Sequence, residues 1–366
     1  MVIDEEVAVA SVSWLRARRL NTQFLTGHTQ SPLDVVRRLA AVQAQNVPAA
    51  RWAVGVRSPR ARLGDVEDLF ASGAVLRSWT MRGTLHLVAA EDLGWMLSLT
   101  SARQRAAVDR EARQRGISPH DFDRASAVIV DQVAEHGPTT RAEALSALKR
   151  AGVDTSSERG YRYIRDTALR GLVAWGPYRG AQPELVLVPH APPLQREEAL
   201  GRYLTRYAAG HGPITVRDFA WWSGLTLSDA RRAREVAAGA LTTVRVGDDE
   251  FLVAPSELDA TPARPRGLKA IAAWDEYVLG YGDRSAALPA EHAWRVSPTG
   301  NGVFLPAIVS AGRVVGTWRH SIRRSVATVE AEPFSTLTES ERHGLETEAA
   351  RLARFLGVEP GGVVIP

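Results

Sequence analysis

An α+β fold built from repeated helix–helix–ribbon units is predicted by three observations. A short motif occurs twice, as His136-Gly137-Pro138-Thr139-Thr140-Arg141 and as His211-Gly212-Pro213-Ile214-Thr215-Val216-Arg217. Each copy is followed by two helical stretches and a pair of apolar runs, an order that marks a repeated supersecondary unit. The N-terminal third repeats the order, with helices leading into Val75–Val88, two strands that bend around Arg82-Gly83. Two helices plus a two-stranded wing are the parts of a winged helix, so the prediction is tandem winged-helix motifs.

Taken in order, Val12, Leu15, Leu20, Phe24 and Leu25 place a helix within Val7–Gly27. Ser31 is the expected N-cap of the next, with Pro32 in its first turn and Asp34 facing the positive end of its dipole. Val35, Val36, Leu39 and Val42 form its buried stripe, which extends the helix from Leu33 to about Gln45. Pro48 biases Val47 away from the α region and is expected to end it. Short helices fit Leu63–Ser72, Ala90–Thr100 and Ala102–Arg115. In the first repeat, Glu158–Leu172 reads as a helix, and Leu172–Trp175 and Glu184–Pro189 as strands. In the second, Leu227–Gly239 is the helix and Leu241–Val246 and Glu250–Pro255 are the strands. Beyond Arg264, Val303–Val309 and Arg313–Trp318 flank Ser310-Ala311-Gly312 as a hairpin, and Val326–Glu330 adds a strand. Thr338 and Glu341 form a capping-box pair that starts a helix ending at Leu356. The expected divisions are 1–125, 126–195, 196–263 and 264–366.

A chain of 366 residues suggests two or three domains. No run of 18 apolar residues is present, so no membrane span is expected. The acidic start Met1–Ser13 does not read as a secretory signal. Cysteine is absent, which excludes disulfides, thiol nucleophiles and cysteine-based metal centres, and makes a bacterial cytoplasmic location the expectation. The nine histidines show no ligand spacing, and neither a metal nor a cofactor is expected. Net charge is only +4, but Lys149 and Lys269 are the only lysines, so the basic residues are almost all arginine. Arginine suits phosphate recognition because its planar fork binds two oxygens at once, although genomic codon bias gives the same composition.

The stretch Leu39–Pro48 carries the chemistry. Gln43 and Gln45 stand two positions apart. On a helix they would diverge by roughly 200°; on an extended segment they would share a face. Two amides cannot abstract a proton as a carboxylate can, but they can hold and orient water. That suffices for a substrate already primed to lose its leaving group, and an N7-alkylated purine in DNA, being cationic, meets the condition. A surface or capping role is the alternative. Arg82, Thr84 and His86 would share one strand face, suited to a sugar-phosphate backbone or simply exposed. Trp221, Trp222 and Trp318 could stack on bases or fill a core. Asp275, Glu276, Tyr281, Asp283 and Arg284 form a candidate ion-pair cluster.

These pieces together resemble the AlkZ/YcaQ family of bacterial DNA glycosylases. The resemblance rests on Val42–Gln45, on Arg77–Leu87 (Arg-Ser-Trp-Thr-Met-Arg-Gly-Thr-Leu-His-Leu), on Asp275–Arg284 and on Gly312–Trp318, in that order along nearly the whole chain. It implies tandem winged-helix motifs around a concave DNA-binding surface. It also implies hydrolysis of the N-glycosidic bond of N7-alkylated purines, including bulky antibiotic adducts and interstrand crosslinks, in repair or in self-resistance to a genotoxin. Gln43 and Gln45 match the catalytic Gln-x-Gln of the AlkZ-like branch; the YcaQ-like branch has aspartate at the second position. Asn46, Asp275, Tyr281, Asp283 and Arg284 are then candidate supporting residues. Arg82, Thr84, His86, Arg313 and Trp318 are candidate DNA contacts, and Ile308–Trp318 is a candidate lesion-proximal hairpin. The expected partner is double-stranded DNA carrying alkylated purines, met at the nucleoid, with no membrane and no obligate protein partner. A non-catalytic winged-helix regulator and a drug-sequestering resistance protein are the alternatives.

Overall fold

The computed structural model describes residues 8–27, 29–190, 194–259, 267–300 and 302–365. They form two compact units, one of residues 1–66 with 200–366 and the other of residues 67–199. Both mix helices and sheets, so the α+β expectation holds. The expected division at 263/264 and the Val7 start of the first helix lie outside the described residues.

In the first unit, Ser11 caps a helix over Val12–Thr22 by accepting from the Trp14 amide at 3.1 Å. The helix is shorter than expected because Ala8–Ala10 is a strand, paired in parallel with Thr242–Val246. Thr242–Val246 pairs antiparallel with Asp249–Val253, and Leu15, Val244, Val246, Phe251 and Val253 fill the core beneath. Ser31 and Asp34 form a capping box on the helix Pro32–Leu39. That helix also stops early, because Ala40 takes φ +61°. Pro48 does not end it. It lies in the first turn of a separate helix, Val47–Gly55, where a missing N–H costs nothing.

Five strands form the larger sheet of this unit, in the order Leu268–Ile271, Ala307–Ser310, Arg313–Arg323, Val326–Pro333, Glu359–Val364. Neighbours are antiparallel except the last pair, which is parallel. The predicted hairpin forms across Ala311-Gly312, but its second strand continues five residues past Trp318 and turns again at Arg324-Ser325. The terminal strand contains Pro360, Gly361 and Gly362, which hid it from a propensity reading. Helix Glu339–Leu356, boxed by Thr338 and Glu341, buries Leu345, Leu352 and Phe355. Phe355 packs on Trp52 with ring centroids 5.4 Å apart, and a Cβ on Gly55 would lie 2.6 Å from the same ring.

In the second unit the strands run Thr84–Ala89, Val75–Met81, Val173–Arg179, Gln182–Leu187, Thr139–Thr140, each antiparallel to the next. Arg82 and Gly83 have φ +52° and +71°, the paired left-handed geometry of a two-residue hairpin turn. Ala90–Arg113 is one helix where two were expected, since no Gly or Pro separates Thr100 from Ala102. Asp166, fully buried, accepts from Arg105 Nε at 2.9 Å and Arg170 Nε at 2.6 Å.

The two repeats have one element order. The first runs Pro119–His136, Arg141–Arg150, Arg159–Leu169 and then its ribbon; the second runs Arg196–His211, Val216–Ser223, Leu227–Val236 and then its ribbon. In each, the residues before the middle helix bridge antiparallel to the last ribbon strand, Thr139 opposite Leu185 and Ile214 opposite Leu252. Thr140 and Thr215 are equivalent N-caps, boxed by Glu143 and Asp218. Among the described residues no helix is long and apolar enough to cross a membrane.

Candidate functional site

The left-handed turn at Ala40 releases the chain into an extended segment, Val42–Gln43, which ends where Asn46 caps the next helix. Extended backbone puts residues i and i+2 on one side. Accordingly Gln43 Nε2 donates to Gln45 Oε1 at 3.1 Å. Gln43 is nearly buried while Gln45 and Asn46 are exposed, so the pair lies at the surface edge of a packed segment. Asn46 Oδ1 accepts from the Ala49 amide at 3.0 Å, which makes it a cap that sets the direction of the following helix.

Beneath this segment lies a buried polar lattice organised by Asp275–Arg284. The Gln43 amide donates to Glu276 Oε1 at 3.3 Å. Glu276 Oε2 accepts from Trp222 Nε1 at 2.8 Å and meets His211 Nε2 at 3.2 Å. Asp275 and Arg57 form a two-pronged ion pair, at 2.8 and 2.7 Å, with both side chains fully buried. Arg57 spends its remaining donors on the Gln23 and Ala53 carbonyls and on Gln23 Oε1. Gln23 Nε2 donates to the Tyr281 hydroxyl at 2.9 Å, and that hydroxyl donates to the His211 carbonyl at 2.7 Å. Arg19 lies over the Tyr281 ring at 3.7 Å. Asp218 accepts from the Gly282 and Asp283 amides.

Burial sets the protonation of the lattice. It lowers the pKa of His211, a shift that the Glu276 hydrogen bond opposes. It raises the Tyr277 and Tyr281 hydroxyls well above their ordinary value. The lattice therefore packs an imidazole and two phenols, whose charged forms burial disfavours, around Glu276 and a closed Arg57–Asp275 pair.

Several expected site residues take other parts. Trp318 is not at a DNA surface. It is buried, with its indole N–H on the Ile271 carbonyl at 2.8 Å. Trp222 is likewise core, whereas Trp221 is partly exposed against the Arg284 guanidinium, 4.7 Å away. Arg284 thus stacks on rings, and its Nε donates to the Val278 carbonyl, so it takes no part in an ion pair with Asp275. Asp283 accepts from the Ser285 amide. Arg313 is exposed, and lies close enough to Arg16 to depress that guanidinium, whose pKa burial already lowers.

In the second unit His86 is fully buried, which corrects its expected place on an exposed strand face. Its Nδ1 meets Thr80 Oγ1 at 2.9 Å, and Arg82 Nη2 and Thr84 Oγ1 approach its Nε2 at 3.4 and 3.5 Å. Arg82 sits in the turn, not on a strand, and with Thr84 stays half-exposed.

A profile described as DNA glycosylase AlkZ-like matches residues 36–355. The chain belongs to the AlkZ-like DNA glycosylase family. It is 30% identical over 370 residues to the interstrand DNA cross-link repair glycosylase of Streptomyces sahachiroi, covering 94% of this chain and 97% of that protein. Its structure is similar to that of the Streptomyces sahachiroi DNA glycosylase AlkZ, with a TM-score of 0.81 at 27% identity, over 98% of this chain and 100% of the other. DNA is therefore the substrate polymer of this enzyme. Within this family member, sequence reading missed Gln23, Arg57, His211 and Trp222 as parts of the lattice. The repeat gave no signal for His211, since its counterpart in the same His-Gly-Pro motif, His136, is exposed and bonded within its own helix. Among the described residues, no group of three His, Cys, Asp or Glu side chains could hold a metal.

Proposed function

We propose that the protein is a monofunctional DNA glycosylase that hydrolyses the N-glycosidic bond of N7-alkylated purines, with Gln43 and Gln45 as its catalytic residues. The observation that carries this reading is the Gln43–Gln45 contact: two amides hydrogen-bonded to each other, the first buried and the second exposed, in a chain of this family. The alkylated base is a cationic leaving group, so its C1′–N9 bond needs no protonation to break. The bonding pair passes to N9 and neutralises the base. Water oxygen bonds to C1′, and the water's proton leaves to solvent. Carbonyl dipoles fixed beforehand stabilise the oxocarbenium-like transition state and place the water.

Tandem winged helices would present this segment to DNA, and the shared order of the two repeats supports that architecture. Arg313 beside Arg16 favours a phosphate contact, because two neighbouring like charges are relieved by an anion. Arg82 and Thr84 at the ribbon turn are the corresponding candidates in the second unit. The cross-link repair named for the Streptomyces relative extends the proposal to interstrand crosslinks.

Incubation with duplex DNA containing N7-methylguanine, followed by alkali, tests the activity: strand cleavage at the lesion is the expected product of an abasic site. Binding without cleavage would leave the regulator reading. For the residues, Gln43→Ala and Gln45→Ala should each slow single-turnover excision by about 100- to 1,000-fold while leaving affinity for the same duplex nearly unchanged. Wild-type rates in both variants would return these glutamines to a capping or surface role.

A further inference from the structure

The Gln43 backbone is held by a group that does not belong to its own segment. Its amide donates to Glu276, whose side chain is fully buried. The other carboxylate oxygen is held by the Trp222 indole N–H and by His211 Nε2. An ionised carboxylate is acceptor-only, and these three groups meet it as donors when His211 carries its proton on Nε2. Trp222 is itself fixed, stacked on Tyr207 with centroids 4.6 Å apart and packed on Tyr203. Tyr207 is stacked on His211 and donates to the Gly280 carbonyl at 2.6 Å. Gly280 has no room for a side chain: a Cβ there would lie 2.7 Å from the His211 ring. The carboxylate is thus immobile from below, and its upper oxygen meets the first glutamine of the pair.

We propose that Glu276 is the positioning residue of the Gln43–Gln45 segment. Resting on the catalytic reading of those glutamines, the inference adds what aims them. The direction of this two-residue strand depends on how its backbone is held. A buried charge-assisted bond to its amide sets it, and with it the direction in which the Gln43 side chain leaves the backbone. Glu276 touches neither water nor DNA in this role; it acts through Gln43.

Glu276→Gln tests the idea, because it keeps shape and puts an amide NH2 where one of the N–H donors needs an acceptor. Trp222→Phe is the gentler companion. It keeps the ring packing and removes one donor that anchors the carboxylate, so it decides the matter should the first variant fold poorly. Each is made alone and in a Gln43→Ala background, with single-turnover excision read above spontaneous depurination of the same N7-methylguanine duplex. Equilibrium binding and hydrogen exchange at the Gln43 amide are measured alongside. The expected result is a rate lowered by about 10- to 100-fold for Glu276→Gln, the scale of a hydrogen bond to a charged group, and by less for Trp222→Phe. Affinity should be unchanged and exchange at Gln43 faster. In the Gln43→Ala background the same changes should cost nothing more. Unchanged rate and exchange in both variants overturn the proposal. So does an equal further loss without Gln43, which would mean that the effect bypasses it. A Gln43→Ala enzyme with the wild-type rate would instead remove the catalytic reading itself.

Discussion

Gln43 and Gln45 do not titrate, so any acid sensitivity of this site has to come from the groups beneath them. His211 is the first of these, because burial holds its folded pKa below the ordinary value of a free histidine. The unfolded chain then takes up the proton first. Stability is therefore complete above about pH 6.5 and declines as the pH falls from there toward the folded pKa. Denaturation midpoints at about pH 7.5 and 5.5 should show this loss in the wild type and a flatter profile in His211→Gln; a wild type that gained stability on acidification would contradict it. Arg57 makes a different demand. Its five donors are all used and its partner Asp275 has no access to water, so Arg57→Met strands a buried carboxylate. The expected cost is about 3–5 kcal/mol in unfolding free energy. Gln45→Asp is milder: the added carboxylate could stabilise the sugar cation, so excision of simple adducts should survive in part, as single-turnover rates would reveal. The contact between the glutamines was foreshadowed by their spacing, and the role proposed for them comes from the family resemblance. The lattice was not legible, because Gln23, Arg57, His211 and Glu276 are scattered through the chain and nothing local marks a buried ion pair or a shared carboxylate.

At the scale of elements, caps were the most readable features. Ser31 and Thr338, read as caps from the sequence, and the repeat threonines Thr140 and Thr215, which were not, each stand where a side-chain oxygen meets the orphan amides of a helix start. The two repeat caps should not be equally valuable. Thr140→Ala removes a part-buried capping box and should cost about 1 kcal/mol. Thr215→Ala frees Asp218, which also holds the Gly282 and Asp283 amides, so its loss of stability in chemical denaturation should be the larger. Equal losses would mean that the Asp218 contacts add nothing. The overlong second helix has a simple cause. The apolar stripe of Val35, Val36, Leu39 and Val42 continues past the end of its helix, because Val42 is buried as a strand residue and meets the same core. Periodicity records burial, not the dihedral angle at Ala40 that separates the two conformations.

For the whole molecule, binding to duplex DNA should be steeply salt-dependent and nearly indifferent to sequence. Each phosphate neutralised by arginine adds about −0.9 to the slope of log affinity against log salt and carries no base information. A titration showing one preferred operator, or affinity unchanged at molar salt, would speak for a regulator. Borohydride should trap no protein–DNA adduct, since Lys149 is exposed on its helix and Lys269 is paired with Glu348 at 2.8 Å; a trapped species that vanished with either lysine would make the enzyme a lyase. The sequence by itself determined the α+β class, the repeated element order, the family and the pair of glutamines, because patterning, capping and motif are local and survive without coordinates. Only the tertiary structure brought the two glutamine side chains into hydrogen-bond contact and set the Gln43 amide on Glu276. It alone placed His86 and Trp318 in cores, not on surfaces, and made the paired cation of Asp275 Arg57, not the nearby Arg284. Those facts depend on which distant residues meet in a low-dielectric interior. There an unpaired polar group is costly, so the partner is chosen by packing and not by proximity in the chain.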